Sequence, residues 1–83
     1  MNKILIIEDD LNLKKYMREY LNAYDYDTIL LNDFQNVLED VQHIDPNLII
    51  LDINHPTFDG FYFLKIIRNK SKVPVIIVSA NAK

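Results

Sequence analysis

Carboxylate side chains follow two short apolar segments of the chain. Residues 3–7 are followed by Glu8 and Asp9, and residues 48–51 are followed by Asp52. Two carboxylates about 4 Å apart repel each other by roughly 4 kcal/mol at an effective dielectric near 20. Such a group therefore needs a proton or a cation, and Mg²⁺ prefers oxygen ligands together with a phosphate oxygen. The spacing predicts a magnesium-dependent phosphoryl site.

The apolar segments indicate how these residues are brought together. Both are short and rich in Ile and Leu, which is typical of strands buried on both faces of a parallel sheet. A third apolar segment, residues 73–78, ends at the hydroxyl residue Ser79. In an open parallel sheet the functional crevice lies outside the carboxyl ends of the strands. We therefore expect the acidic residues and Ser79 at one edge.

Strand and helix patterns alternate along the whole chain. We predict an α/β fold of order βαβαβαβ, a doubly wound parallel sheet with helices on both faces. The predicted strands cover residues 3–8, 27–31, 48–52 and 75–79.

The predicted helices follow the 3.6-residue period. Asp10 or Asn12 caps the first helix, Asp33 caps the second, and the third covers residues 61–69. The side chains expected to face the core are Leu13, Tyr16, Met17, Tyr20, Leu21 and Tyr24, then Phe34, Val37, Leu38 and Val41, then Phe61, Leu64 and Ile67. Lys14 is expected on the solvent side of the first helix.

Composition excludes several classes of protein. The chain has 83 residues, 49% of them hydrophobic, a net charge of −3 and no cysteine. These values predict one small domain without disulfides, a thiolate zinc site or a nucleic-acid footprint. Gly60 is the single glycine, which excludes a P-loop and a dinucleotide fingerprint. With no signal peptide and no long apolar stretch, we expect a soluble, cytoplasmic protein without membrane insertion.

Residues 51–60 carry a more specific pattern. They read Leu-Asp-Ile-Asn-His-Pro-Thr-Phe-Asp-Gly, in which D-x-x-x-P-x-x-D-G follows a buried strand. This segment resembles the phosphoacceptor segment of the response-regulator receiver domains of bacterial two-component systems. The acidic pair after the first strand and Ser79-Ala80 after the fourth are similar to that family too. The details are nearest to regulators with a winged-helix DNA-binding output.

The resemblance implies a role for each matching residue at the metal. Asp9 and Asp52 would bind Mg²⁺ directly and Glu8 would bind it through water. The backbone carbonyl of Asn54 would complete the ligands that the protein supplies.

It also implies how the phosphoryl group is handled. Asp52 would be the phosphoacceptor that takes the group from a sensor histidine kinase. Ser79 would hydrogen-bond the phosphoryl group as the switch residue, and the backbone amide of Ala80 would add a second donor. The protein would be a regulator rather than a turnover enzyme.

The likeness further implies a flavodoxin-like receiver fold with strand order 2-1-3-4, truncated at its C-terminus. Residues 1–83 would form an incomplete receiver domain, without the output domain through which the full-length protein binds DNA. The family's lysine after a fifth strand has no counterpart, and Lys83 follows the fourth strand too closely to replace it. The fourth strand would be a bare edge, so we expect a homodimer through that edge.

Two other functions fit part of the pattern. A magnesium-dependent phosphatase or hydrolase could use an aspartyl nucleophile, but it would place a second aspartate two residues further on. Glu8 and Asp10 have that offset, although glutamate is a poor replacement for the nucleophile. A phosphate-independent pseudo-receiver would bind partners only, and the acidic residues together with Ser79 argue against it.

Overall fold

Four strands form one parallel sheet in the structure, a computed structural model that describes residues 2–31, 35–53 and 59–78. The strand order is β2-β1-β3-β4. The strands are β1 (Lys3–Ile7), β2 (Asp27–Leu30), β3 (Leu48–Asp52) and β4 (Val75–Val78), and the helices are α1 (Leu11–Ala23), α2 (Val37–Ile44) and α3 (Gly60–Lys70). The predicted fold class and strand order are confirmed.

The strand register aligns the carboxyl ends of the strands. In the two central strands Ile7 lies opposite Leu51, and Asp52 lies opposite Val78 of β4. Glu8, the residue after β1, is therefore one position beyond the Ile7 pair and beside Asp52. This register places both carboxylates at one edge of the sheet.

The central strands β1 and β3 carry the core. On one face, Leu5 and Ile7 of β1 pack with α2 and α3. Ile4 and Ile6 are equally buried, and they point to the opposite face because strand side chains alternate. A right-handed crossover places α1 on that second face. Glu8 is in phase with Ile4 and Ile6, so its side chain belongs to the α1 face.

The start of β1 is tied to the end of α2. The Lys3 ammonium donates to the carbonyl of Ile44 at 2.6 Å, and the Lys3 amide donates to the side-chain oxygen of Asn47 at 2.8 Å. The Asn47 amide donates in return to the Lys3 carbonyl at 2.8 Å. These contacts fix β1 beside the turn that leads into β3.

Aspartates cap two helices. The Asp10 carboxylate accepts from the amides of Asn12 and Leu13 at 3.0 and 3.1 Å, so Asp10 is the cap of α1. Asp59 caps α3 in the same way. At α2 the N-cap is Asn36, which makes no side-chain cap bond. The predicted cap Asp33 and the predicted core residue Phe34 lie outside the described residues.

The predicted inner face of α1 is wrong in part. Tyr16, Tyr20 and Tyr24 are 69%, 59% and 62% exposed, whereas Lys14 is only 7% exposed. Leu13, Met17 and Leu21 are half-buried and share the inner side of the helix with Lys14. The tyrosines form the neighbouring stripe, which turns their hydroxyl groups toward water. Lys14 is buried in their place, as a long side chain with an apolar stem allows.

Helix α3 also packs on a slightly different face. Ile67 is buried, and Phe63 and Leu64 pack against the core. Phe61 was expected in that face but is 60% exposed. It lies in the first turn, next to Gly60, and Phe63 takes the inward position instead.

Strand β4 lies at the edge of the sheet and has β3 as its neighbour. Its Ile76 and Ile77 are 49% and 41% exposed on opposite faces. Within the described ranges, no helix is long and apolar enough to cross a membrane.

Candidate acidic site

Glu8 and Asp52 form a carboxylate pair at the end of the central strands. Each follows a run of apolar residues in the core, and their side chains are 2% and 3% exposed. Carboxylates are almost never buried to this extent without a partner or a ligand. The pair is therefore the strongest sign of chemistry in the described part of the chain.

The Glu8 carboxyl group is only half satisfied. Its Oε2 accepts from the amide of Asp10 at 2.9 Å. Its Oε1 is buried and has no hydrogen-bond partner among the described residues. A bond from this oxygen to Asp52 requires a proton on one of the two carboxyl groups. When both carboxyl groups are ionised, the pair therefore needs a cation to balance its charge.

The electrostatics of Glu8 follow from this position. Burial raises the pKa of the Glu8 carboxyl above its ordinary value, and the negative charge of Asp52 raises the pKa further. The backbone amides of Asp10 and Asp9 act in the opposite direction because they stabilise the ionised form. Desolvation is the largest of these effects, so the group holds its proton more tightly than in water.

Asp9 and Asp10 lie beside the pair with different environments. Both are exposed. Asp10 is committed to the cap of α1, as expected for an aspartate before a helix. Asp9 follows Glu8 at the same edge. The structure thus brings Glu8, Asp9 and Asp52 to one edge, with only Glu8 and Asp52 buried.

Gly60 brings the start of α3 against the backbone of this site. A Cβ atom at this position would lie 2.6 Å from the Ile53 Cα and 2.9 Å from the Asp52 carbonyl oxygen. Only glycine allows so close an approach. The helix therefore supports the backbone immediately after Asp52.

The donor set fits a hard divalent cation. It consists of carboxylate oxygens, one of them buried and without a hydrogen-bond partner among residues 2–31, 35–53 and 59–78. Such oxygen donors bind Mg²⁺ in preference to softer metals. No three His, Cys, Asp or Glu side chains within residues 2–31, 35–53 and 59–78 are arranged to hold a metal ion. The predicted set needs no such trio, because in that prediction Glu8 would act through water and the third ligand would be a backbone carbonyl.

Three predicted site residues lie outside the described residues, namely Asn54, Ser79 and Ala80. Their roles stay predictions. The sequence analysis placed Lys14 on the solvent side of α1, whereas Lys14 is buried on the inner side of that helix. Its spacing of three from Met17 and seven from Leu21 was the available signal, because those intervals place it on the same helix face.

The fold and this site together define a class of protein. A parallel sheet of order 2-1-3-4 with paired carboxylates at its carboxyl edge is the flavodoxin-like receiver fold. A family model described as the response regulator receiver domain matches residues 4–83. The chain belongs to the response-regulator receiver family.

Relatives and solved structures agree with this assignment. The chain is 39% identical over 82 residues to the transcriptional regulatory protein YxdJ of Bacillus subtilis, covering 99% of this chain and 36% of YxdJ. The N-terminal domain of the nisin resistance regulator NsrR superposes with a TM-score of 0.89 at 31% identity, covering 100% of this chain and 71% of that one.

A third comparison involves a partner. A complex of the histidine kinase ThkA with the response regulator TrrA matches with a TM-score of 0.85 and 26% identity, covering 100% of this chain and 72% of the matched chain. The chain spans about a third of the length of YxdJ and of BceR of Halalkalibacterium halodurans. Its family is therefore established for the receiver portion of such regulators.

Proposed function

We propose that this chain is the phosphoacceptor receiver of a two-component system and that Asp52 is the residue phosphorylated. The observation that carries the proposal is the buried pair of Glu8 and Asp52, in which the Glu8 Oε1 has no hydrogen-bond partner within the described part of the chain. A structural carboxylate would be paired with a donor. A site that takes up a cation and then a phosphoryl group has a reason to leave that oxygen open.

Asp9 and Asp52 would hold Mg²⁺ directly, Glu8 would hold it through water, and the Asn54 carbonyl would complete the protein ligands. The bound ion would supply positive charge against an incoming phosphoryl group. The protein side chains fix where that charge sits. The burial of Glu8 and Asp52 makes each interaction stronger than it would be in bulk water.

The position of Asp52 supports its proposed role as the nucleophile. It ends β3, a central strand held on both sides by parallel pairing, so its carboxylate is held by a rigid element. One of its oxygens would attack the phosphorus of a phosphohistidine as the P–N bond breaks and the P–O bond forms. Ser79 and the amide of Ala80 would then donate hydrogen bonds to the phosphoryl oxygens, and Ser79 would report its presence.

The partners follow from the relatives. The TrrA complex supports a sensor histidine kinase as the phosphoryl donor. The name of YxdJ supports transcription regulation, and we propose that DNA is bound through an output domain of the full-length protein, in the cytoplasm. The receiver would act as a regulator, with no turnover beyond its own phosphorylation and dephosphorylation.

Acyl-phosphate labelling tests this proposal. The full-length protein, given Mg²⁺ and acetyl phosphate or a cognate kinase, should gain one phosphoryl group that hydroxylamine removes. Asp52→Asn keeps the shape of the side chain but removes the nucleophile, so labelling should vanish. Asp25→Asn is the matched control, because Asp25 is exposed and has a φ of 68°, which Asn tolerates. Persistent labelling of Asp52→Asn would refute the assignment.

The same preparation distinguishes a receiver from a phosphatase or hydrolase and from a pseudo-receiver. A phosphatase or hydrolase would turn over a phosphate ester many times per molecule, whereas a receiver would not. A pseudo-receiver would bind its partners equally well with Asp52→Asn and without Mg²⁺.

A further inference from the structure

Lys14 is a charged residue in an apolar stripe. It is 7% exposed and lies on the inner side of α1 with Leu13, Met17 and Leu21. A lysine in such a stripe keeps its ammonium group near polar or charged atoms, since burying the charge alone is very unfavourable.

The helix geometry directs the Lys14 side chain toward the edge of the sheet that carries Glu8 and Asp52. Its amide donates to the carbonyl of the cap residue Asp10 at 3.0 Å, so Lys14 lies one turn, about 6 Å along the helix axis, from that cap. Side chains of a helix lean toward its N-terminus. The four-carbon stem of Lys14 therefore runs back toward the carboxyl ends of β1 and β3.

The sheet presents its acidic groups on the face that α1 covers. Glu8 is in phase with Ile4 and Ile6, which point away from the core formed with α2 and α3. Asp52 lies one position beyond Leu51, which faces that core, so Asp52 also points to the α1 face. The buried lysine and the buried carboxylate pair thus share one face and one end of the sheet.

From this placement we propose that Lys14 is a positioning residue of the acidic site, which balances its affinity for Mg²⁺ against its affinity for the phosphoryl group. The inference rests on the proposed function. A fixed positive charge near the pair disfavours a divalent cation there and favours an anionic group. Its removal changes the two affinities in opposite directions, which loss of packing would not do.

The expected size follows from Coulomb's law. Deletion of a unit charge that lies about 8 Å from a divalent ion changes the affinity for that ion by about fivefold at the dielectric constant of water. We expect Lys14→Met to bind Mg²⁺ about fivefold more tightly and beryllofluoride, used as a phosphoryl mimic with saturating Mg²⁺, several-fold more weakly. Methionine keeps an unbranched stem and suits the apolar stripe.

The experiment compares three variants of the protein as encoded in full by its gene. Mg²⁺ alone, and then beryllofluoride with Mg²⁺, are titrated into the wild type, Lys14→Met, Lys14→Arg and Lys15→Met, followed by amide NMR shifts at residues 8–10, 52 and 53. Lys15 is exposed and lies one position along the helix, so its variant controls for net charge. Lys14→Arg should match the wild type.

The outcomes separate the possibilities. The proposal is supported if Lys14→Met alone binds Mg²⁺ more tightly and beryllofluoride more weakly, while Lys14→Arg binds both like the wild type. Four results would overturn it: weaker binding of both ligands by Lys14→Met, equal changes of affinity in Lys15→Met, no change of affinity, or unfolding of Lys14→Met. Lys14 would then have a packing role or a general charge role. If the wild type shows no Mg²⁺ shifts at these residues, the proposed function itself fails, whatever the variants do.

Discussion

Replacement of Glu8 by glutamine should stabilise the metal-free protein. The Glu8 side chain is 2% exposed, and its Oε1 has no partner among the described residues. A buried polar atom left unsatisfied costs about 1–3 kcal/mol. Glutamine can still accept from the Asp10 amide, while its NH₂ group can donate to Asp52. We therefore expect Glu8→Gln to raise the free energy of unfolding by about 2 kcal/mol near neutral pH.

The pH dependence of this effect has a definite sign. The pKa of Glu8 is raised above its ordinary value of 4.5, so the folded state binds this proton more tightly than the unfolded state. The contribution of protonated Glu8 to stability is complete below the ordinary pKa and is lost as pH rises through the folded-state pKa. The advantage of Glu8→Gln should therefore be largest near neutral pH and shrink on acidification.

Urea unfolding followed by circular dichroism measures this directly, in EDTA and in millimolar Mg²⁺, at neutral and mildly acidic pH. Glu19→Gln, an exposed change on α1, should have no comparable effect. Mg²⁺ should stabilise the wild type more than Glu8→Gln, because the variant lacks one anionic group at the site. A variant that is less stable than the wild type at neutral pH in EDTA would refute the reasoning.

Other substitutions test the supports of the site. Gly60→Ala should lower the free energy of unfolding by about 1–3 kcal/mol, because its Cβ would lie 2.6 Å from the Ile53 Cα; a urea midpoint equal to wild type would contradict this close approach. Asp59→Ala should lose about 1 kcal/mol with its helix cap, and Asp59→Asn should lose much less in the same assay. The isolated 83-residue chain should self-associate through β4, and Ile77→Lys should shift it toward monomer in sedimentation. A wild-type monomer at high micromolar concentration with a sharp unfolding transition would exclude self-association through that edge.

The sheet was predictable because its signal is local. Short segments rich in Ile and Leu specify buried strands, and acids after such strands must lie at their carboxyl ends. That rule places Glu8 and Asp52 at one edge of the sheet. The strand order that makes β1 and β3 neighbours came from the resemblance, and the structure confirms it. The roles of Asn54 and Ser79 came from the resemblance, and they remain predictions.

The face of α1 was harder to predict for a physical reason. Tyrosine has a large apolar ring, so a count of apolar positions places Tyr16 and Tyr20 in the core. The hydroxyl group favours water, however, and the long stem of Lys14 can cover apolar surface while its charge stays at a polar edge. Periodicity alone cannot choose between two adjacent stripes of one helix that both satisfy the same spacing.

The central place of β1 has a consequence for synthesis of the protein. The strand made first is bordered by strands that are made later, β2 and β3. Lys3 makes its tertiary contacts with Ile44 and Asn47, more than forty residues downstream. At about 5–20 residues per second, the first strand waits for seconds on the ribosome before its second neighbour emerges. During that wait the Ile and Leu residues of β1 have at most β2 as a strand neighbour, so one edge of this apolar strand stays open to other chains and to chaperones.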